Sequence, residues 1–149
     1  MKFMKDYLKY FKVVRTYFRY KYDISLAELD MMLFLFSEKR FSKRKFEEYR
    51  IVIGWYPKML KNLIDKGYVE EFRKGGGAYE SLYQMSYKGK SLIRNFYNTL
   101  EGKEIPTSVQ ANPIFQERKP KAVERYRLAI IVMNREIREL RSRRADESQ

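Results

Sequence analysis

The chain has 149 residues, enough for one compact domain with extensions or two very small ones, and a chain this long buries roughly 70% of the surface its unfolded form exposes. It contains no cysteine and no histidine, which excludes disulfides, a thiol nucleophile, a structural zinc site and any His-based triad or general base, so no catalytic, cofactor or metal-binding residue is assigned. Lys and Arg number 32 against 19 Asp and Glu, a net charge of +13 whose self-repulsion a polyanionic partner would relieve.

The first helix is predicted over Met4 to Tyr22. Tyr7, Phe11, Val14 and Phe18 recur at steps of three and four with Leu8 beside them, and Tyr10, Val13, Tyr17 and Tyr20 make a second apolar row. One row suffices to pack this helix on the chain, so the other needs a partner or stays half wet. Lys9, Lys12, Arg15 and Arg19 fill the remaining face. The opening MKFMKDYLKYFK lacks the apolar stretch of a signal peptide, and the run Leu29 to Phe36 is far too short to span a bilayer. The expectation is a soluble, cytoplasmic protein with no membrane partner.

Ser25-Leu26-Ala27-Glu28 is a capping box, in which hydroxyl and carboxylate satisfy backbone N–H groups reciprocally. The helix it opens carries Leu26, Leu29, Leu33 and Phe36 as a stripe, widened by Met32, Phe34 and Leu35, which predicts burial on several sides. Ser42 caps a third helix with Phe46 and Tyr49 inward and Lys43, Arg44, Glu47 and Glu48 outward. A fourth is predicted from near Gly54 through Trp55-Tyr56-Pro57-Lys58 to Asp65, with Pro57 in its first turn. Tyr56, Leu60 and Leu63 form its inner face, flanked by Met59 and Ile64. Lys58, Lys61 and Asn62 lie opposite, and Gly67 ends the helix at C′.

Tyr68 to Arg73 and Ser81 to Ser86 read as two strands joined by a loose glycine tip, Lys74-Gly75-Gly76-Gly77-Ala78. Ser86 caps a helix running to about Leu100, with Leu92, Ile93, Phe96 and Leu100 inward and Gly102 after it. Lys103 to Lys119 has no period and holds Pro106 and Pro113, so it is a linker or extended arm. A last helix is predicted from Pro120 to about Arg143, frayed beyond Arg141, with apolar residues Val123, Tyr126, Leu128, Ile130, Ile131, Met133, Ile137 and Leu140.

The order of four helices, a hairpin and a helix resembles a winged helix-turn-helix domain with additional N- and C-terminal helices: mainly α with a small two-stranded β-wing, class α+β. Leu60-Lys61-Asn62-Leu63-Ile64-Asp65-Lys66-Gly67-Tyr68-Val69-Glu70 resembles the end of a recognition helix, its glycine cap and the first wing strand. Met85-Ser86-Tyr87-Lys88-Gly89-Lys90-Ser91-Leu92-Ile93 resembles the L-T-x-x-G-x-x-L that follows such wings. Over residues 24–100 the chain is similar to the MarR family of bacterial regulators, as a remote or viral relative. Two features differ from that family: the tip is triple glycine without an Asp-x-Arg pair, and the recognition helix opens on Gly54, Trp55, Tyr56 and Pro57 in place of Ser and Thr. The resemblance implies a homodimeric, sequence-specific binder of double-stranded DNA that regulates transcription, with terminal helices forming the dimer interface and a small phenolic or anionic effector of unknown identity.

On that frame the candidate DNA-binding residues fall in three places. Lys58 and Lys61 would contact phosphate or guanine, and Asn62 adenine or backbone. Trp55 either anchors this helix on the preceding one or turns its ring to the DNA sugar edge. Ser42, Lys43 and Arg44 begin a helix, where N–H groups and the dipole favour a phosphate. Arg73 and Lys74 stand at the base of a tip that can reach a minor groove. The bland counterparts are a solvated helix face, a simple cap and an ordinary hairpin loop.

The resulting division is an N-terminal packing or dimerisation helix (1–22), the winged-helix domain (23–102), a linker (103–119) and a C-terminal packing or dimerisation helix with a basic tail (120–149). Whether the terminal helices pack within the chain or between subunits stays open. No enzyme is expected, because the adjacent pairs Glu47-Glu48 and Glu70-Glu71 diverge on a helix or strand. The alternative function is a winged-helix adaptor in a replication, transcription or viral complex. RNA binding ranks third, since single-strand readers usually set aromatics on a wider sheet face.

Overall fold

Each of the six predicted helical segments contains a helix, and the two strand-like runs pair. The computed structural model describes residues 7–49, 52, 54, 56–116 and 121–148. Its elements are α1 (Tyr7–Tyr22), α2 (Leu26–Leu35), α3 (Lys43–Glu48), α4 (Met59–Asp65), β1 (Val69–Arg73), β2 (Leu82–Met85), α5 (Tyr87–Leu100), a short 3-10 turn (Pro113–Phe115) and α6 (Lys121–Glu147). The class is α+β, mostly helical with one two-stranded antiparallel sheet. Among the described residues no helix is long and apolar enough to cross a membrane. The chain divides into two compact units, Ser25–Asn95 and the pair of segments Met1–Ile24 and Phe96–Gln149, so the last residues of α5 belong with the terminal helices.

In the unit Ser25–Asn95, Ser25 caps α2 by accepting a hydrogen bond from the Glu28 amide at 3.0 Å. The other half of the expected capping box is not made. The Glu28 carboxylate is buried and accepts from Lys66 Nζ at 3.1 and 3.3 Å and from the Tyr56 hydroxyl at 3.2 Å. A buried carboxylate gains more from an ammonium than from a backbone amide. Leu29, Met31, Met32 and Leu35 of α2 are fully buried, and Phe46 of α3 joins them in the core. The predicted fourth helix is shorter than its pattern suggests. Pro57 and Lys58 form a turn in which the Met59 amide donates to the Tyr56 carbonyl, and α4 begins only at Met59, with no side-chain cap. Pro57 therefore precedes the helix. Trp55 lies outside the described residues.

The end of α4 obeys the sequence closely. Gly67 has φ 81°, its amide donates to the Ile64 carbonyl at 2.9 Å, and the Tyr68 amide reaches the Leu63 carbonyl at 2.9 Å. This paired Schellman arrangement satisfies carbonyls that the last turn would otherwise orphan. Val69 pairs with Met85, Glu70 with Gln84 and Glu71 with Tyr83, and a bulge at Phe72 lets Arg73 face Leu82. The tip is tighter than a loose glycine loop: Gly76 and Tyr79 exchange two backbone hydrogen bonds of 3.1 Å. Ser86 ties the hairpin to α4 and α5 together. Its hydroxyl donates to the Gly67 carbonyl at 2.5 Å and accepts from the Gly89 amide at 3.1 Å, while its own amide reaches the Tyr68 carbonyl at 3.0 Å. A Cβ on Gly89 would stand 2.3 Å from the Tyr68 carbonyl oxygen. The glycine in the post-hairpin motif is thus required by close approach of α5 to the start of β1.

In the terminal unit both apolar rows of α1 contribute to one core: Tyr10, Val14, Tyr17 and Phe18 are buried, while Leu8 is exposed. Phe96 of α5 meets Phe11 and Phe18 edge-on at 6.1 and 5.2 Å. From α6 come Val123, Ile130, Met133 and Ile137, and α1 and α6 pack against each other and against the 3-10 turn within the same chain. Residues 103–112 are irregular, as their aperiodic sequence predicts, and with the 3-10 turn they are firmly held. Buried Asn134 clamps Ile105 by accepting from its amide at 2.9 Å and donating to its carbonyl at 2.8 Å. Buried Asn112 donates to the Pro106 carbonyl and caps the 3-10 turn at Ile114. Arg127 binds the Ile114 and Gln116 carbonyls. Arg138 and Arg141 pair with Glu104, and Arg141 also holds the Gly102 carbonyl. The helix continues to Glu147 rather than fraying at Arg141. Pro120 lies outside the described residues.

Two outcomes test these contacts. Gly89→Ala should cost about 1–3 kcal/mol by forcing α5 off Tyr68, and Ser86→Ala about 1 kcal/mol as a lost cap, both read from urea unfolding midpoints. Burial, and then the nearby Tyr22, push the Tyr17 phenol up from 10.0 to about 12. The unfolded chain ionises at the lower value, so this contribution to stability is complete below pH 10 and is lost as pH rises toward 12. Tyr17→Phe should therefore lose less stability than the parent across that window in the same assay.

Candidate nucleic-acid interface

Leu60, Lys61 and Ile64 of α4 share one face by their helical spacing, and Pro57 in the preceding turn lines the same groove. Leu60 is almost fully buried, Ile64 is 37% exposed, and Lys61 is exposed. This face forms one wall of a groove of about 460 Å³, completed by Lys43 and Glu47 of α3 and by Tyr83 of β2. Backbone pairing sets its width. The Phe41 amide donates to the Tyr83 carbonyl at 2.9 Å and the Tyr83 amide to the Phe41 carbonyl at 2.8 Å, an isolated bridge that adds a third short edge to the hairpin. The Phe41 ring packs on Phe46 and on Tyr83, with centroids 5.1 and 6.3 Å apart. Because Ser42 and Lys43 follow Phe41 directly, the bridge fixes where α3 begins beside β2. Lys43 also borders a smaller hollow with Glu80, Ser81 and Tyr83.

Ser42 serves as the cap of α3, accepting from the Lys45 amide at 3.4 Å. That helix has six residues, so little dipole accumulates, and attraction for an anion there rests on the ammonium and guanidinium groups of Lys43 and Arg44. Both are exposed, as are Lys58 and Lys74. Among the described residues no salt bridge engages these four cations. Lys61 pairs with Asp65 at 3.5 Å, both side chains being well exposed. Asn62 is half-buried, and its amide donates to the Tyr56 hydroxyl at 3.4 Å, which links it to the Glu28–Lys66 pair. The Arg73 guanidinium lies over the Tyr79 ring, 5.6 Å from its centroid, and donates to the Glu80 carbonyl at 3.4 Å. Arg73 and Lys74 share a hollow at the tip with Gly75, Gly76 and Tyr79.

The structure thus brings Lys43 and Lys61 to one groove and Arg73 and Lys74 to one hairpin tip. It turns Asn62 toward Tyr56, on the side away from the groove lining. Sequence reasoning missed Ile64 and Tyr83 as groove residues, although the spacing of Leu60, Lys61 and Ile64 carries the signal for the first. It also missed Arg40, whose guanidinium stacks 3.7 Å over the exposed Phe72 ring. Chemically, the arrangement offers ammonium groups beside an apolar floor, suited to holding anionic groups at its edges and an apolar group between them. Comparison with family models, with curated proteins and with solved structures returned no match.

The two ion-paired lysines near α4 should separate sharply on substitution. Lys66→Met strips the ammonium from the buried Glu28 carboxylate and should cost about 1–3 kcal/mol. Lys61→Met removes an exposed i,i+4 pair and should stay within about 0.5 kcal/mol. Equal losses in denaturant melts would contradict the assignment of Glu28–Lys66 as the tie that seats α4.

Proposed function

We propose that the chain is a MarR-like winged helix-turn-helix protein that binds double-stranded DNA as a cytoplasmic homodimer and regulates transcription. In this reading α4 is the recognition helix, β1 and β2 are the wing, and α3 abuts the phosphate backbone. The observation that carries it is the meeting of Lys43 and Lys61 at one exposed groove on the outer side of α4. Arg73 and Lys74 at the hairpin tip supply a second basic point of contact. Arg44 and Lys58 are further exposed cations, each next in sequence to a groove residue. Asn62 supports the helix through Tyr56, and the lysines take the phosphates. The net charge of +13 supports a polyanionic partner over a neutral one.

The homodimer is supported by α6, which exposes Leu128, Ile131 and Val132 besides the face it buries within the chain. These residues follow i, i+3, i+4 spacing and make a second stripe suited to another helix. A two-fold DNA site would require the two recognition helices of such a dimer about one DNA turn, roughly 34 Å, apart.

Anisotropy titrations of duplex DNA should show log affinity falling linearly with log salt, by about 0.9 per phosphate neutralised. Lys43→Ala and Lys61→Ala should each reduce that slope by about one unit per subunit while leaving the fold within about 0.5 kcal/mol. Salt-insensitive binding, or parental binding by both variants, would favour the adaptor function. Val132→Glu should shift sedimentation from dimer to monomer and weaken DNA binding; a monomeric parent at micromolar concentration would remove the dimer from the account.

A further inference from the structure

Resting on the DNA-binding reading, we propose that the groove of α3, α4 and β2 reads the C5 methyl group of thymine in the major groove. The floor of this groove is made by Pro57, Leu60 and Ile64, which carry no side-chain hydrogen-bond donor or acceptor. Such a floor cannot read a base edge by the donor and acceptor code. It can read the one apolar feature a natural base edge displays, the thymine methyl. The neighbours of the floor set the register. Lys43 and Lys61 come from different helices and would hold phosphates at its margin, while the carboxylate of Glu47 on the same lining repels a phosphate from its interior. Ile64 is 37% exposed in the absence of any partner, an apolar surface on the outer face of a seven-residue helix. Covering it with a methyl group removes apolar area from water without displacing any hydrogen bond. One seated methyl, counted as one buried carbon, is worth about a fourfold change in affinity.

The test compares four 30-base-pair duplexes, a probe length of about three helical turns, by fluorescence anisotropy at one salt concentration. They are alternating A·T, the same with deoxyuridine for thymidine, alternating G·C, and the same with 5-methylcytosine, which restores a methyl at the equivalent major-groove position. The parent protein should bind the thymine duplex at least about fourfold more tightly than the uracil one, and the 5-methylcytosine duplex more tightly than the unmethylated one. Ile64→Ala should reduce both differences and keep the parental salt slope, since no cation is lost. Equal binding of thymine and uracil duplexes by the parent overturns the inference and leaves DNA binding intact. So does a methyl preference that Ile64→Ala leaves undiminished. Failure of the parent to bind any of the four duplexes at low salt overturns the DNA-binding reading itself.

Discussion

Gly89 lies against the Tyr68 carbonyl at a distance no side chain would allow, and the unit Ser25–Asn95 is organised around that contact. Within a few residues of it α4 ends, β1 begins, β2 ends and α5 begins. Ser86 bridges all four through its hydroxyl and its amide, so backbone groups that would be stranded at three element ends find partners. The consequence is felt furthest at α4. A helix of seven residues is too short to persist alone in water. It persists here because Met59, Leu60 and Leu63 are buried beneath it and because its last turn is closed at Gly67 and Tyr68.

Glu28 completes the seating of α4 from the other side. A buried carboxylate is a cost unless it is paired, and its Lys66 and Tyr56 partners sit just beyond the two ends of α4. Apolar burial alone would tolerate rotation of a short helix over its core. Two directional contacts at its ends select one rotation, the one that presents Pro57, Lys61 and Ile64 outward. The same network occupies Asn62, so the outer chemistry of α4 is cationic and apolar rather than amide-based.

Features that depend on local spacing were legible in the residues. The serine caps, the Gly67 stop, the hairpin and the inner faces of α3 and α5 follow from short-range rules that tertiary context did not override. Features that depend on a distant partner were not. Glu28 reads as half of a capping box until Lys66 arrives from across the unit. Phe41 forms a single bridge to Tyr83, and one residue pair carries no periodicity to detect. The start of α4 falls later than the pattern predicts because Pro57 fits a first helical turn and a preceding turn equally well by its fixed φ. Residues 103–116 gave no period because amide clamps from Asn134 and Asn112 hold them, not a repeating apolar face. For the groove, Lys43 and Lys61 were legible as exposed cations, but the floor they border required the fold.

The central claim, that duplex DNA is met by the outer face of α4 and its flanks, is most directly tested by residue-resolved NMR. Backbone amide shifts would be followed while the labelled protein is titrated with a duplex oligonucleotide. The account predicts perturbations clustered at Ser42 to Arg44, Pro57 to Ile64 (excepting the proline itself, which has no amide), and Arg73 to Tyr79. Perturbations confined to α1 and α6, or none at DNA concentrations that saturate anisotropy, would contradict it.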